Sequence, residues 1–201
     1  MLFRSTTGEL IVSDGAVVLA STFGEGDGGK VNVNANSSVQ VIGTTADGQF
    51  PSRLSAQANL GSKGKAGDIT ITTEQLMVKD GAFVSAATFG QGDGGDLTVD
   101  ASSTVQVIGT SSDATLLSRL STGTQGRGNA GNLSITTEEL IVSDGAVVSA
   151  STLGQGNGGT LRVDASSTVQ VIGTSADGTS LSRLSTQTQE RGKAGNLNIT
   201  T

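Results

Sequence analysis

The feature that most constrains this chain is a long internal repeat. The string Ala130-Gly131-Asn132-Leu133-Ser134-Ile135-Thr136-Thr137-Glu138-Glu139-Leu140-Ile141-Val142-Ser143-Asp144-Gly145-Ala146-Val147-Val148-Ser149-Ala150-Ser151-Thr152 recurs almost unchanged from Ala66 to Thr88. Most of it also runs from Thr6 to Thr22, and it begins again at Ala194. Thr72-Thr73 follow Thr6-Thr7 by 66 residues, and Thr136-Thr137 and Thr200-Thr201 follow at intervals of 64. The units are 6–71, 72–135 and 136–199, with the start of a fourth at 200–201, all within one solenoid spanning 1–201. A chain that repeats at this scale stacks copies of one supersecondary unit instead of building a single central core.

Each unit divides again. Gly131-Asn132-Leu133-Ser134-Ile135 resembles Gly159-Thr160-Leu161-Arg162-Val163, 28 residues on, and Gly195-Asn196-Leu197-Asn198-Ile199 follows after another 36. Apolar residues alternate at period two in Leu97-Thr98-Val99, Val105-Gln106-Val107 and Leu161-Arg162-Val163. That is the period of a strand, and Gly with β-branched residues interrupts every window long enough for a helix. The fold expected is all-β: a parallel β-helix of about six coils with three short strands per coil, about 29 Å long at the usual interstrand spacing. The inward residues of the third unit are Leu133, Ile135, Leu140, Val142, Val148 and Ala150. In the next coil they are Leu161, Val163, Val169, Val171, Ser182 and Leu184, with Val148 expected to stack on Ser182 and Ala150 on Leu184.

Turn chemistry fits this plan. Asp14-Gly15, Asp80-Gly81 and Asp144-Gly145 supply residues tolerant of positive φ at one corner. Gly43, Gly109 and Gly173 stand at the matching corner of the alternate coil. Segments 111–117 and 122–130 are expected to protrude as surface loops.

Composition removes several functions. The chain has no Cys and no His, which excludes disulfides, Cys/His zinc sites and a Ser-His-Asp triad within it. Its net charge of -6 argues against nucleic acid as a partner. No apolar run approaches the length of a membrane span. Polysaccharide-cleaving β-helices need a non-repeating cluster of acids, usually with aromatic platforms, whereas here Glu74, Glu138 and Glu139 repeat with the chain and Trp and Tyr are absent. The expectation is no enzyme and no cofactor.

Gly-Asn-Ala-Gly-Asn-Leu-Ser-Ile-Thr-Thr (128 to 137) and Ser-Asp-Gly-Ala-Val-Val-Ser-Ala-Ser-Thr-Leu-Gly-Gln-Gly-Asn-Gly-Gly (143 to 159) resemble the repeats of filamentous-haemagglutinin-like exoproteins of two-partner secretion systems, in a cyanobacterial flavour. The resemblance runs from Thr6 to Thr201. It implies a right-handed helix, export through an outer-membrane partner, display or release at the bacterial surface, and a structural role in adhesion or biofilm. Self-association by end-to-end stacking into a filament is the accompanying expectation.

Three residue sets are candidates for ligand binding. Asp27, Asp93 and Asp96 lie in Gly-Asp-rich segments like those of calcium β-rolls, although Asn157 and Thr160 replace Asp93 and Asp96 in the third copy. The alternative is an ordinary flexible turn. Arg53, Arg119 and Arg183 recur every two coils and could meet an anionic surface polysaccharide, or simply form a solvated face. Thr122-Gly123-Thr124 and Thr186-Gln187-Thr188 could begin a flat ice-binding ladder, against ordinary strand threonine.

Overall fold

A computed structural model describes residues 2–201. Thirteen strands alternate long and short: β1 (Leu2–Ser13), β2 (Val17–Leu19), β3 (Lys30–Ile42), β4 (Arg53–Ser55), β5 (Ile69–Lys79), β6 (Phe83–Ser85), β7 (Leu97–Ile108), β8 (Arg119–Ser121), β9 (Leu133–Ser143), β10 (Val147–Ser149), β11 (Leu161–Ile172), β12 (Arg183–Ser185) and β13 (Leu197–Thr200). The odd strands form one sheet in sequence order and the even strands form the second. Every pairing between these strands is parallel. The molecule is a parallel β-solenoid, and no helix occurs among the described residues.

Each coil has three sides, but the first two run together. The long strand bends where its register slips, between Asp100 and Thr104 in β7 for example, facing Thr136 and Glu139 in β9. Three residues on one coil, 101–103, oppose two on the next, 137 and 138, the arrangement of a bulge. The slip lets inward residues resume on the second side: Leu97, Val99 and Ala101 before the bend, Val105 and Val107 after it, all essentially buried.

The core is a set of columns. Ile69, Leu97, Leu133 and Leu161 stack on the first side, and Leu76, Val105 and Leu140 on the second. On the third side Leu54, Val84, Leu120 and Val148 stack, each with no exposed surface. A buried aliphatic side chain contributes roughly 1.5–3 kcal/mol relative to leaving it in water. Each coil therefore gains most of its stability from its two neighbours.

One stacking expectation is corrected. Val148 pairs with Leu184, and Ser182 sits two residues earlier, beside Ala146. A displacement of two residues preserves the inward and outward alternation, so periodicity cannot detect it. The turn decides: Gly145 N donates to Ser182 Oγ at 2.9 Å and Arg183 N to the Ala146 carbonyl at 3.1 Å. Gly15 and Gly81 donate in the same way to Ser52 and Ser118. The Asp-Gly pairs themselves lie at positive φ, with Asp14 at 57°, Asp80 at 58° and Asp144 at 56°.

Segment 122–130 is also corrected. It does not protrude. Thr122 and Thr124 are buried, and Thr88, Thr124 and Thr152 are bridged in parallel across three coils. Glycine makes this possible: a Cβ on Gly67, Gly95, Gly131, Gly159 or Gly195 would overlap the carbonyl of the glycine one coil below. Segment 111–117, in contrast, is an excursion closed by an antiparallel bridge between Thr110 and Leu117. Equivalent excursions are closed by Thr44 with Pro51 and Thr174 with Leu181.

Candidate functional site

The third side carries the most distinctive surface. Its short strands place every second residue outward. At the first outward position the stack reads Val17, Arg53, Phe83, Arg119, Val147, Arg183. The three arginines recur on alternate coils, about 10 Å apart at two interstrand steps. Apolar residues separate them, so the row is not a uniformly solvated face. Arg119 lies 4.5 Å over the Phe83 ring, a cation–π contact. Burial lowers the pKa of Arg119 below its usual value, because desolvation disfavours the charged guanidinium. The Nε of Arg53 is buried with no hydrogen-bond partner, and none of the three arginines forms an ion pair among the described residues.

The next outward position is nearly all serine: Ser55, Ser85, Ser121, Ser149 and Ser185. Ser121 Oγ donates to Ser85 Oγ at 3.1 Å, and Gln57 Nε2 donates to the same Ser85 oxygen at 3.1 Å. Arginine on one wall, serine on the floor, and Phe89, Gln125 and Leu153 on the opposite wall enclose a groove of about 300 Å³. Among the described residues no carboxylate lines it. The sequence shows the arginine period, but Phe83 and the serine floor join it only once the register between coils is known.

The aspartates of the Gly-rich segments do something else. Asp27 Oδ1 accepts the Lys65 backbone N–H at 2.8 Å. Asp93 Oδ1 accepts that of Asn129 at 2.9 Å, Asn129 Oδ1 that of Asn157 at 3.0 Å, and Asn157 Oδ1 that of Lys193 at 2.9 Å. A parallel ladder runs beside it: Asp96 N donates to Asp68 Oδ1 at 3.2 Å, Asn132 N to Asp96 Oδ1 at 2.7 Å, and Thr160 N to Asn132 Oδ1 at 3.0 Å. Each side chain caps a backbone amide of the next coil. Asp and Asn serve equally, because both present a carbonyl-type oxygen. This explains why Asn157 replaces Asp93 without loss of the ladder. No group of three or more acidic residues placed to hold a metal occurs among the described residues.

The Thr-x-Thr pairs face inward and form no exposed ladder. Thr122 Oγ1 donates to the Gly131 carbonyl at 2.7 Å, and Thr124 Oγ1 to that of Asn129 at 3.0 Å. Thr186 and Thr188 repeat these bonds with Gly195 and Lys193. They close the glycine-bearing segment onto the core, leaving no flat hydroxyl lattice for ice.

No family model, no curated protein and no solved structure matches the chain.

A second hollow follows the bend of the long strands. Its floor alternates small and threonine residues, Ala35, Thr73, Ala101, Thr137 and Ala165, and it encloses about 710 Å³. Glu74, Asp100, Glu138 and Asp164 stand along its rims. Arg162 neutralises Asp164 through two hydrogen bonds, at 2.5 and 2.9 Å. Each carboxylate recurs with the repeat, Glu74 with Glu138 and Asp100 with Asp164.

Proposed function

We propose that this chain is a non-catalytic structural solenoid: the shaft, or a head-to-tail fibre subunit, of a filamentous-haemagglutinin-like exoprotein at the bacterial surface. The observation that carries the reading is the unbroken seven-stranded ladder from β1 to β13, in which each coil bonds only to its neighbours. Such a stack resists bending because the interstrand hydrogen bonds of the sheet run roughly along its axis. Its polar side chains serve the stack: the Asx ladders, the inward threonines and the serines under the Asp-Gly turns all close coil upon coil.

The two end faces support continuation. Phe3, Leu10 and Val18 are only partly buried at one end, and Val171, Leu197 and Ile199 are exposed at the other. These belong to columns that are buried in the middle coils. A further coil, from the same polypeptide or from another copy, would cover them. An open stack of this kind is heterologous and grows as a filament.

Electron microscopy of the purified chain over a concentration series tests the architecture. Filaments with a repeat near 29 Å, six coils at the interstrand spacing, identify a fibre subunit. Isolated short rods retain the shaft and discard end-to-end assembly. Antibodies against the chain should label the surface of unpermeabilised source cells or their medium. Label confined to the cytoplasm would sink the extracellular reading.

A further inference from the structure

We infer that the groove over the short strands binds a linear acidic polysaccharide with one carboxylate per disaccharide. This rests on the stacking register and not on the shaft reading. A guanidinium largely withdrawn from water normally has an anion beside it. Arg119 has Phe83 beneath it and no carboxylate near it, and it opens onto the groove. Arg183, two coils along the same row, opens onto the groove as well. In a chain of net charge -6, a groove with two arginines and no acid is a local reversal of sign.

Spacing selects the polymer. Cations repeat every two coils, about 10 Å, which is close to the rise of one disaccharide in an extended glycan. Nucleic acid presents phosphates more densely than this and needs more cations than the groove holds. The floor suits sugar: Ser121, Ser149 and Ser185 offer hydroxyls that donate or accept, and Gln125 and Gln187 add amides. Phe89 and Leu153 give the opposite wall apolar surface for the C–H faces of the rings. The glycan axis runs along the solenoid, so each added unit meets the same chemistry two coils on.

Affinity electrophoresis of the intact chain in gels containing hyaluronan, dextran or polyglutamate tests the inference. Hyaluronan should retard the chain, with retardation falling as salt rises, and neutral dextran should not. Arg119→Met with Arg183→Gln should weaken binding at least tenfold. Arg183→Gln alone, at an exposed position, should weaken it severalfold, and circular dichroism checks that both variants fold. Arg162→Gln, on another side of the coil, should bind like the parent. No retardation by hyaluronan, equal retardation of the double variant, or equally strong binding of polyglutamate would each overturn the proposal.

Discussion

Replacing Asp27, Asp93 and Asp96 together separates a structural ladder from a metal site. In the structure each Oδ1 caps one amide of the neighbouring coil, at 2.8, 2.9 and 2.7 Å. A hydrogen bond to a charged acceptor contributes about 1.5–3 kcal/mol when buried, and roughly 1 kcal/mol at exposed positions such as these. The triple alanine variant should therefore lose about 3 kcal/mol. The triple asparagine variant keeps all three acceptors without their charge, and should lose about half as much. For a chain of this length, 1 kcal/mol corresponds to about 2–3 °C in Tm, so the expected falls are about 7 °C and 3–4 °C. Hydrogen exchange locates the effect: the amides of Lys65, Asn129 and Asn132 should lose protection with alanine and keep it with asparagine. Millimolar calcium should leave the Tm of the parent chain unchanged. A calcium-dependent rise in Tm, abolished by the asparagine substitutions, would refute the ladder and restore the metal reading.

Three other outcomes follow from single residues. Gly131→Ala forces a Cβ into the Gly95 carbonyl and should cost about 3 kcal/mol or more by chemical denaturation, because the obstacle is backbone and cannot rotate away. Gly8→Ala, with open space around its Cβ, is the neutral control. Ala114 holds φ at 58° where its counterparts are Gly48 and Gly178, so Ala114→Gly should relieve about 1 kcal/mol of strain, partly offset by unfolded-chain entropy, and raise Tm slightly. The carboxyls of Asp47, Asp113 and Asp177 are held below the ordinary 3.8, chiefly by hydroxyl hydrogen bonds from Thr45, Ser111 and Ser175. Because their folded values are depressed, their stabilisation is complete above the unfolded value and disappears as pH falls through the folded one. NMR titration should show Ser111→Ala moving the Asp113 midpoint upward.

Much of the fold was legible in the chain because solenoid chemistry is local. Alternation in Leu97-Thr98-Val99 identifies the inward face, and the structure buries Leu97 and Val99 completely. The register between coils was not legible to the same degree. Val148 opposite Leu184 and Val148 opposite Ser182 present the same pattern of faces, and only the serine reaching the Gly145 amide chooses between them. The Gly-rich segments misled for a related reason. Glycine there does not loosen the chain but lets neighbouring coils approach to backbone contact, a use visible only when the coils are stacked. The aspartates among them match a calcium motif only weakly, and their partner in the structure is a main-chain amide, which no side-chain motif records.

The two-coil period of the arginine row has a structural origin. From Ser143 to Val147 the chain turns a corner in four steps, whereas the paired residues Ile172 and Arg183 are eleven apart. The bend of the long strand adds one more, from Thr136 to Glu139 against Asp164 to Thr168. Seven and one account for the difference between coils of 28 and 36 residues. The long corner is the excursion closed by Thr174 and Leu181, and its counterparts precede Arg53 and Arg119. Each arginine thus emerges directly from an excursion, which puts Leu117 in the groove wall beside Arg119. Phe83 and Val147 stand between the arginines, which limits their mutual repulsion and doubles the spacing of the charge. The excursion recurs with each arginine every two coils, so the contacts proposed for a glycan recur with it at about 10 Å.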